Sequence, residues 1–498
     1  MPLDPRTPVV VGVAQTLRRP DDPATASAPV DMMADVLRLA AQDSGTGARL
    51  LERADSVRVA AVLSWRYADP GTLVASHLGI APRETVVTTP GGNSPQTLLN
   101  DTALAIQRGD IDVALLVGAE AMYTRLRARK SKARLDWEQQ PPDAEPTRVL
   151  GDARAGTSDA EMARSLVLPV QVYPVFENAL RAAAGESISE HQHKIASLWA
   201  RFSAVAARNP NAWSRQERTA EEIATVTADN RWIGFPYTKA MNANLDTDQA
   251  AGVIVCSVEA ARAAGVPEEK WVFPWSGADA HDHWFVSERA DLHSSPAIRI
   301  AGQAALQLAG IDIDDVRHVD LYSCFPSAVQ IGAAELGLEL DDADRPLTVT
   351  GGLSFAGGPG NNYVMHSIAA MVDTLRHDPG RLGLITALGW YITKHAVGVY
   401  STEPPPNGFR HTRPQQDVDA LPRREPVGDY EGPVSIDSYT VMHERDGEPA
   451  VGLVACLLPD GGRTWATTKE PGLMKSMTLE EFVGRPATVN AGGGLEVR

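Results

Sequence analysis

The sequence predicts an α/β protein with two similar halves, an inserted lobe and a small β domain at the C-terminus. Two stretches of chain alternate short apolar runs with amphipathic segments, which is typical of strands and helices in a layered α/β fold. A long polar segment separates these two stretches. After residue 425 the pattern changes to alternating runs joined by tight turns, which favours antiparallel strands.

The first half contains five elements that the pattern predicts. Apolar runs indicate buried strands, and segments with apolar residues at helical spacing indicate helices; in the first helix Met33, Val36 and Leu37 share one face. The elements are strand 9–13, helix 29–41, strand 57–63, helix 95–107 and strand 112–118. Strands that alternate with helices predict a parallel or mixed sheet covered on both faces.

Residues 123–239 interrupt this alternation. The segment is polar and contains prolines, and it is too long for a plain loop within a compact domain. We therefore expect a separate, partly helical lobe. Alternation resumes with strands 248–255 and 271–273, helix 295–308, strand 319–321, helix 327–336 and strand 382–388. At the level of pattern, the second half repeats the first.

The predicted domain boundaries follow from these changes. The N-terminal half comprises 1–122 and 240–265, the inserted lobe 123–239 and the C-terminal half 266–403. The proline-bearing stretch 404–425 predicts a linker. In 426–498, alternating runs are separated by Arg-Asp-Gly-Glu and Asp-Gly-Gly turns, which predict a small antiparallel barrel or sheet.

Composition restricts the class of protein. The 498 residues carry a net charge of −17, which argues against a nucleic-acid-binding or anionic-membrane surface. The three cysteines have no metal-ligand spacing, so we expect a reduced, cytoplasmic protein. The N-terminus lacks a signal-peptide pattern, and no apolar run is long enough to span a membrane.

Three loops in the second half carry the clearest functional signal. They are 320–327 (Asp-Leu-Tyr-Ser-Cys-Phe-Pro-Ser), the glycine-rich 351–362 and 384–391 (Leu-Ile-Thr-Ala-Leu-Gly-Trp-Tyr). Together with 109–122 and the Asp-Gln-Ala-Ala segment within 246–251, this order of loops resembles the thiolase superfamily. The subgroup it resembles is the actinobacterial thiolase-like proteins related to sterol-carrier-protein thiolases, some of which carry an additional C-terminal domain.

The resemblance implies a duplicated thiolase fold and an acyl-CoA-dependent acyltransferase, similar to acetyl-CoA acetyltransferases, in lipid or sterol metabolism. It implies a coenzyme A thioester as substrate, no permanently bound cofactor, and a monomer or homodimer. Three family positions nevertheless depart from the pattern. Gly92 stands in place of the nucleophilic cysteine, Gly358 in place of the catalytic histidine, and Ala387 in place of the second cysteine. Ordinary thiolase chemistry requires a thiolate, which glycine cannot provide.

Three other side chains are candidate catalytic groups. Tyr322 stands where the family has an asparagine or histidine, and its phenol can donate a hydrogen bond to an oxyanion. Cys324 matches the cysteine of the His-Asp-Cys-Phe subgroup, and His395 follows the last loop as a possible base. The structural alternatives are a packed tyrosine, a buried cysteine beside Phe325 and a histidine without catalytic role.

Candidate binding residues come from the turns and from one basic run. Gly92 lies at the family's nucleophile position, and Ser94 matches the family's serine two residues on. The turn that contains Gly357, Gly358 and Asn361 could present backbone N–H groups to a thioester oxygen, or its glycines could simply permit the turn. The basic run at the start of the lobe contains Arg127 and Arg129, which could contact the phosphates of CoA; a solvated helix face is the alternative.

No metal site is expected, because the His191-x-His193 pair lacks a third ligand nearby.

Three functions remain open at this point: an acyltransferase that uses Tyr322, Cys324 and His395, an aldol lyase acting on β-hydroxyacyl-CoA, and a non-catalytic acyl-CoA or lipid-binding protein. We further expect Tyr322, Cys324, Gly358 and His395 to line one cavity, because they lie on loops that follow strands of the same half.

Overall fold

The computed structural model describes residues 3–141 and 143–497, and its first half is built on a mixed sheet. The elements of this half are β1 (Pro8–Leu17), α1 (Pro29–Asp43), α2 (Ala48–Leu51), β2 (Ser56–Val59), α3 (Pro70–Leu78), β3 (Glu84–Thr88), α4 (Ser94–Arg108) and β4 (Val113–Ala121). Valine-rich strands form the buried centre of the sheet, and α1 packs its apolar face against β1.

The inserted lobe is largely helical, as the polar segment predicts. It contains α5 (Met122–Ser131), β5 (Arg148–Leu150), α6 (Asp159–Ala163), α7 (Pro169–Ala184), α8 (Ile188–Arg208), α9 (Ala220–Ala224), β6 (Trp232–Gly234) and β7 (Tyr237–Thr238). The chain then returns to the first half as β8 (Asp248–Ser257) and α10 (Val258–Ala264). The short strand β5 pairs with β3 and so covers an edge that would otherwise be open to pairing with another chain.

The second half begins a new sheet. Its elements are β9 (Phe273–His281), α11 (Pro296–Ala309), β10 (Val316–Asp320), α12 (Pro326–Leu336), α13 (Gly352–Phe355), α14 (Tyr363–His377), β11 (Leu382–Gly389) and β12 (Lys394–Ser401). The stretch 404–425, where we expect a linker, contains β13 (Arg410–Thr412) and α15 (Gln415–Asp419). Strand β13 pairs in parallel with β9, so this stretch extends the second sheet.

Sheet topology establishes the duplication. The first sheet has the order β1-β8-β4-β2-β3-β5, and the second has the order β10-β11-β12-β9-β13. From β2 through β4 and β8 to β1, the pairings are parallel, antiparallel and antiparallel; from β10 through β11 and β12 to β9, the same series recurs. Helices α4 and α14 pack against each other between the halves.

The C-terminal domain is a sheet docked on the lobe. It contains β14 (Gly432–His443), β15 (Pro449–Leu457), β16 (Arg463–Thr468), α16 (Pro471–Met477), β17 (Pro486–Val489) and β18 (Leu495–Val497). Strand β6 of the lobe pairs with β14, and Asn178 of α7 donates a hydrogen bond of 2.8 Å to the carbonyl of Tyr439. A sheet is therefore established, while its closure into a barrel stays a prediction.

Candidate active site between the two halves

The glycine-rich loop of the second half contacts the start of α4 in the first half. Asn361 Oδ1 accepts a hydrogen bond of 2.8 Å from the backbone N–H of Gly91, and its Nδ2 donates one of 2.8 Å to the carbonyl of Ala61. Gly360 has φ of 52°, and a Cβ atom there would overlap the buried carboxylate of Glu120. Asn361 therefore joins the halves, and glycine is required at 360 for this close approach.

Tyr322 occupies the space above Gly92. A Cβ atom on Gly92 would overlap the Tyr322 hydroxyl and the Leu388 carbonyl, and would lie 2.6 Å from Tyr322 Cζ. The backbone N–H of Tyr322 donates a hydrogen bond of 3.0 Å to Thr386 Oγ1, which fixes the start of this loop against β11. The phenol thus stands where a side chain at position 92 would have to be.

The Tyr322 phenol is neutral at physiological pH. Burial raises its pKa well above the ordinary value of a tyrosine, and the neighbouring Cys324 and Tyr363 act in the same direction. The ring lies edge-on to Tyr363, with 5.5 Å between ring centroids. Tyr363 in turn shares a hydrogen bond of 2.6 Å with Thr350. Tyr322 can therefore act as a hydrogen-bond donor held in place by aromatic packing.

Cys324 lies in an aromatic environment. Burial raises the pKa of its thiol to about 12, although the adjacent Tyr173 hydroxyl opposes this. The Tyr173 ring stacks on Phe325 at 4.4 Å between centroids, and its hydroxyl donates a hydrogen bond of 2.8 Å to the carbonyl of Trp390. A buried neutral thiol is a poor nucleophile, so the structure favours a packing role for Cys324.

His395 is buried beside a carboxylate. Its Nε2 lies 3.1 Å from Asp282 Oδ2 and 3.2 Å from the carbonyl of Ile392. Burial by itself would raise the pKa of Asp282, but the hydrogen bond and charge of His395, with Arg289 nearby, hold it below its usual value. Asp282 is therefore ionised and orients the imidazole.

Tyr322 and His395 line the same small cavity. Its volume is about 10 Å³, which is room for roughly one water molecule. Ala387 also lines it. Cys324 and Gly358 do not, so this cavity brings together only two of the four residues that we expect to share one.

Gly358 faces a different space. Its N–H donates a hydrogen bond of 2.8 Å to the carbonyl of Asn244, and a Cβ atom there would lie 3.3 Å from that carbonyl oxygen and 3.5 Å from Leu245. Asn244 and Leu245 line a groove of about 860 Å³ that we call the cationic groove. It is further lined by Arg19, Tyr123, Trp213, Arg215, Arg218, Lys239, Ser354 and Phe355, with Asp229 and Asp246 as its carboxylates.

Arg127 and Arg129 do not line the cationic groove. Arg127 donates hydrogen bonds to the carbonyls of Pro20 and Asp21, the latter at 2.7 Å, and Arg129 is exposed. The cations of the groove come instead from three separate segments, which sequence reasoning does not connect. Among them Arg19 lies over the Trp213 ring, 4.2 Å from its centroid.

The remaining turn residues support backbone geometry. Ser94 Oγ donates a hydrogen bond of 2.9 Å to the carbonyl of Thr89, so the hydroxyl points back into its own turn. Gly357 has φ of 108°, and a Cβ atom there would overlap the amide of Gln249. Neither residue presents a free side-chain group to the cavity or to the cationic groove.

Lys394 is an ionisable residue of this region that the sequence analysis misses. Its side chain is 6% exposed, and Nζ donates a hydrogen bond of 2.6 Å to the carbonyl of Pro90. Burial lowers its pKa to about 8, and Asp152 opposes this. The preceding turn places Trp390 and Ile392 at φ of 58° and 55°, which is unusual for side chains of this size. In the sequence, the position of Lys394 directly before His395 is the one feature that indicates it belongs to this region.

No metal centre emerges within residues 3–141 and 143–497, where no three His, Cys, Asp or Glu side chains cluster to hold an ion. His191 is instead buried between Glu177 and Glu186, at 2.6 Å from each, and His193 is exposed. None of the helices in the described chain is long and apolar enough to cross a membrane.

Comparison with known proteins agrees with this architecture. Residues 278–402 match the thiolase C-terminal domain-like family, and residues 414–494 match the additional C-terminal domain of thiolase-like protein type 1. A monomeric SCP2-thiolase-like protein type 1 from Mycobacterium smegmatis is 34% identical, with all of this chain and 99% of that chain covered and a TM-score of 0.85. This chain belongs to the thiolase-like protein type 1 family.

More distant structures share the fold alone. The Ltp2–ChsH2(DUF35) aldolase is 17% identical with a TM-score of 0.61, covering 80% of this chain and 99% of that one. The dimeric peroxisomal thiolase of Saccharomyces cerevisiae is 15% identical with a TM-score of 0.56, covering 80% and 98%. Comparison with curated proteins finds no significant match.

Proposed function

We propose that this thiolase-like protein binds an acyl-CoA thioester in the cationic groove and forms no acyl-cysteine intermediate. Arg19, Arg215, Arg218 and Lys239 line the groove, and such cations are suited to the pyrophosphate and 3′-phosphate of CoA. The volume of about 860 Å³ lies within the roughly 300–1,000 Å³ usual for small-molecule sites. The inner wall includes Asn244, which holds the Gly358 turn.

The position of the Tyr322 phenol carries the second part of the proposal. It fills the space above Gly92, where the family pattern has its nucleophile, and its raised pKa keeps it protonated. Cys324, two residues after Tyr322, is buried, and burial raises the pKa of its thiol to about 12, which keeps it neutral. A neutral phenol can donate a hydrogen bond to a thioester carbonyl but is a weak acyl acceptor.

An aldol lyase is the second candidate, because Tyr322 and His395 line one cavity. In that reaction a base takes the proton of a β-hydroxyl group, the bond between the α and β carbons breaks to release a carbonyl compound, and the thioester enolate takes a proton. Because Nε2 of His395 donates to Asp282, the unprotonated Nδ1 of a neutral imidazole is suited to the base, and Tyr322 to the donor. The substrate would have to enlarge the cavity, which holds roughly one water.

Calorimetric titration with acetyl-CoA, CoA and dephospho-CoA tests the binding proposal. We expect Arg215→Glu combined with Arg218→Glu to weaken binding by about tenfold or more, because two phosphate contacts are lost. The matched control is Arg129→Glu, an exposed arginine outside the groove, which should leave affinity unchanged. Absence of binding for all three ligands, or equal losses in both variants, contradicts the proposal.

The chemistry is tested separately with β-hydroxyacyl-CoA. Carbonyl product and acetyl-CoA, detected by liquid chromatography and lost in Tyr322→Phe, would support the lyase. An acyl adduct on Cys324 would instead support the acyltransferase in lipid or sterol metabolism that the resemblance implies. Binding with neither product nor adduct would indicate a binding protein.

A further inference from the structure

A second large groove lies where the inserted lobe meets the C-terminal domain. We call it the acidic groove; its volume is about 1,230 Å³, above the roughly 300–1,000 Å³ usual for small-molecule sites. One wall is the turn between α7 and α8 with the start of α9, and the other is the segment that follows α16. The additional domain thus creates a surface that neither part has alone.

The acidic groove has an apolar floor. Leu479, just after α16, is 68% exposed, an unusual exposure for a large apolar side chain. Trp232 lies in the same groove and packs edge-on to Phe235 at 5.7 Å between ring centroids, with Ile188 and Val483 beside them. A contiguous apolar patch with a polar rim is typical of a surface that binds another protein.

The rim of this groove is negatively charged. Four carboxylates line it, from Glu186, Glu190, Glu221 and Glu481. Arg181, whose side chain is 2% exposed, is paired with Glu481, and Lys194 and His191 are paired with Glu186. Glu190 and Glu221 therefore carry the charge of the outer rim. A partner that carries lysines or arginines complements this rim, whereas an anionic lipid or nucleic acid is repelled.

We propose that the acidic groove binds a cationic amphipathic helix of a partner protein. Apolar side chains of that helix contact Leu479 and Trp232, and its lysines or arginines contact Glu190 and Glu221. A helix with one apolar and one basic face matches the apolar floor and the acidic rim of this groove. The inference rests on this surface alone and is independent of acyl-CoA binding.

A second copy of the chain is a poorer occupant. The basic helix α5 has Thr124 and Ala128 packed in the protein and exposes one large apolar side chain, Leu126 at 44%, so it offers no continuous apolar face to this groove. The 34% identical protein from Mycobacterium smegmatis is described as monomeric, which also favours a different protein as the occupant.

Fluorescence anisotropy with a fluorescein-labelled amphipathic Leu–Lys helical peptide tests the proposal on the full chain. We expect saturable binding that weakens by about tenfold or more in Leu479→Asp, since a buried apolar anchor is lost. Glu190→Gln with Glu221→Gln should also weaken binding and reduce its salt dependence; glutamine preserves the capping box that Glu190 makes with Ser187. The matched control is Val149→Asp, which changes an exposed apolar residue far along the chain, on β5.

Equal affinity of the Leu–Lys peptide for the Leu479→Asp and Val149→Asp variants would indicate nonspecific attraction of a cationic peptide to an acidic protein. That result would overturn the proposal. Saturable binding of a Leu–Glu peptide, or no binding of the Leu–Lys peptide, would overturn it as well. Sedimentation velocity completes the test, because self-association that Leu479→Asp abolishes would show that a second copy covers the groove. Thermal melts of all variants should agree with the wild type, since substitutions of exposed residues cost within about 0.5 kcal/mol.

Discussion

Substitution by alanine should destabilise the protein much more at Gly92 than at Gly358. In Gly92→Ala the added methyl group overlaps the Tyr322 hydroxyl and the Leu388 carbonyl, one of which is backbone. In Gly358→Ala the added methyl group would lie 3.3 Å from the Asn244 carbonyl oxygen and 3.4 Å from Leu353, which is a few tenths of an ångström too close. The first change forces side chain and backbone apart, and the second requires only a small adjustment.

The magnitudes follow from packing. Overpacking a core costs about 1–3 kcal/mol, and the double overlap at Gly92 places that substitution at the upper end. At roughly 2–4 °C per kcal/mol for an unfolding unit of 150–250 residues, Gly92→Ala should lower the Tm by about 4–12 °C. Gly358→Ala should change stability by less than about 1 kcal/mol, because glycine removal also restricts the unfolded chain.

Thermal unfolding followed by near-UV circular dichroism measures both variants under the same conditions. A double-mutant cycle with Tyr322→Ala identifies the side chain responsible. Gly92→Ala should lower the Tm less in the Tyr322→Ala background than in the wild type, because the overlapping phenol is absent. Equal Tm values for Gly92→Ala and Gly358→Ala would refute the close packing of Tyr322 on Gly92. So would a loss in Gly92→Ala that is independent of residue 322.

Three further predictions concern reactivity, pH and thiolysis. Iodoacetamide at pH 8 should modify Cys324 at least about 1,000-fold more slowly in the native protein than in the unfolded chain, because its raised pKa leaves little thiolate; equal rates by peptide mass mapping would contradict its burial. Lys394 has a folded-state pKa of about 8 against an ordinary 10.5, so the unfolded chain binds more protons between these values. In denaturant titrations, the free energy of unfolding of the wild type minus that of Lys394→Met should therefore rise as pH increases from 8 to 10.5. A difference that does not change with pH would show that the amine is solvated. Thiolysis of acetoacetyl-CoA should be undetectable by thioester absorbance, and activity that survives Cys324→Ala would show that another group acts as nucleophile.

Much of the architecture is predictable from the sequence because it rests on local patterns. Alternating strands and helices locate both halves, and the length of the polar segment 123–239 locates the lobe. The β13 strand within 404–425 is harder to predict, since three residues gain their structure only by pairing with β9. The docking of the C-terminal domain through β6 likewise depends on a pairing distant in sequence.

The candidate site is predictable only in part. Motif order brings Tyr322 and Gly92 into one region, but it does not reveal that one side chain fills the space of the other, because these residues are more than two hundred positions apart. The cationic groove takes its charges from separate segments rather than from the continuous basic run, whose Arg127 binds backbone carbonyls. The depressed pKa of Lys394 depends on burial, which composition does not report.

The most direct test of the central claim combines binding and intact-protein mass spectrometry. The protein is incubated with saturating acetyl-CoA, freed of unbound ligand under denaturing conditions and weighed, while a native sample from the same incubation reports the bound thioester. The account predicts one bound acetyl-CoA in the native spectrum and an unmodified mass after denaturation, in both the wild type and Cys324→Ala. An acetyl adduct that disappears in Cys324→Ala would contradict it, and so would a native spectrum without bound ligand.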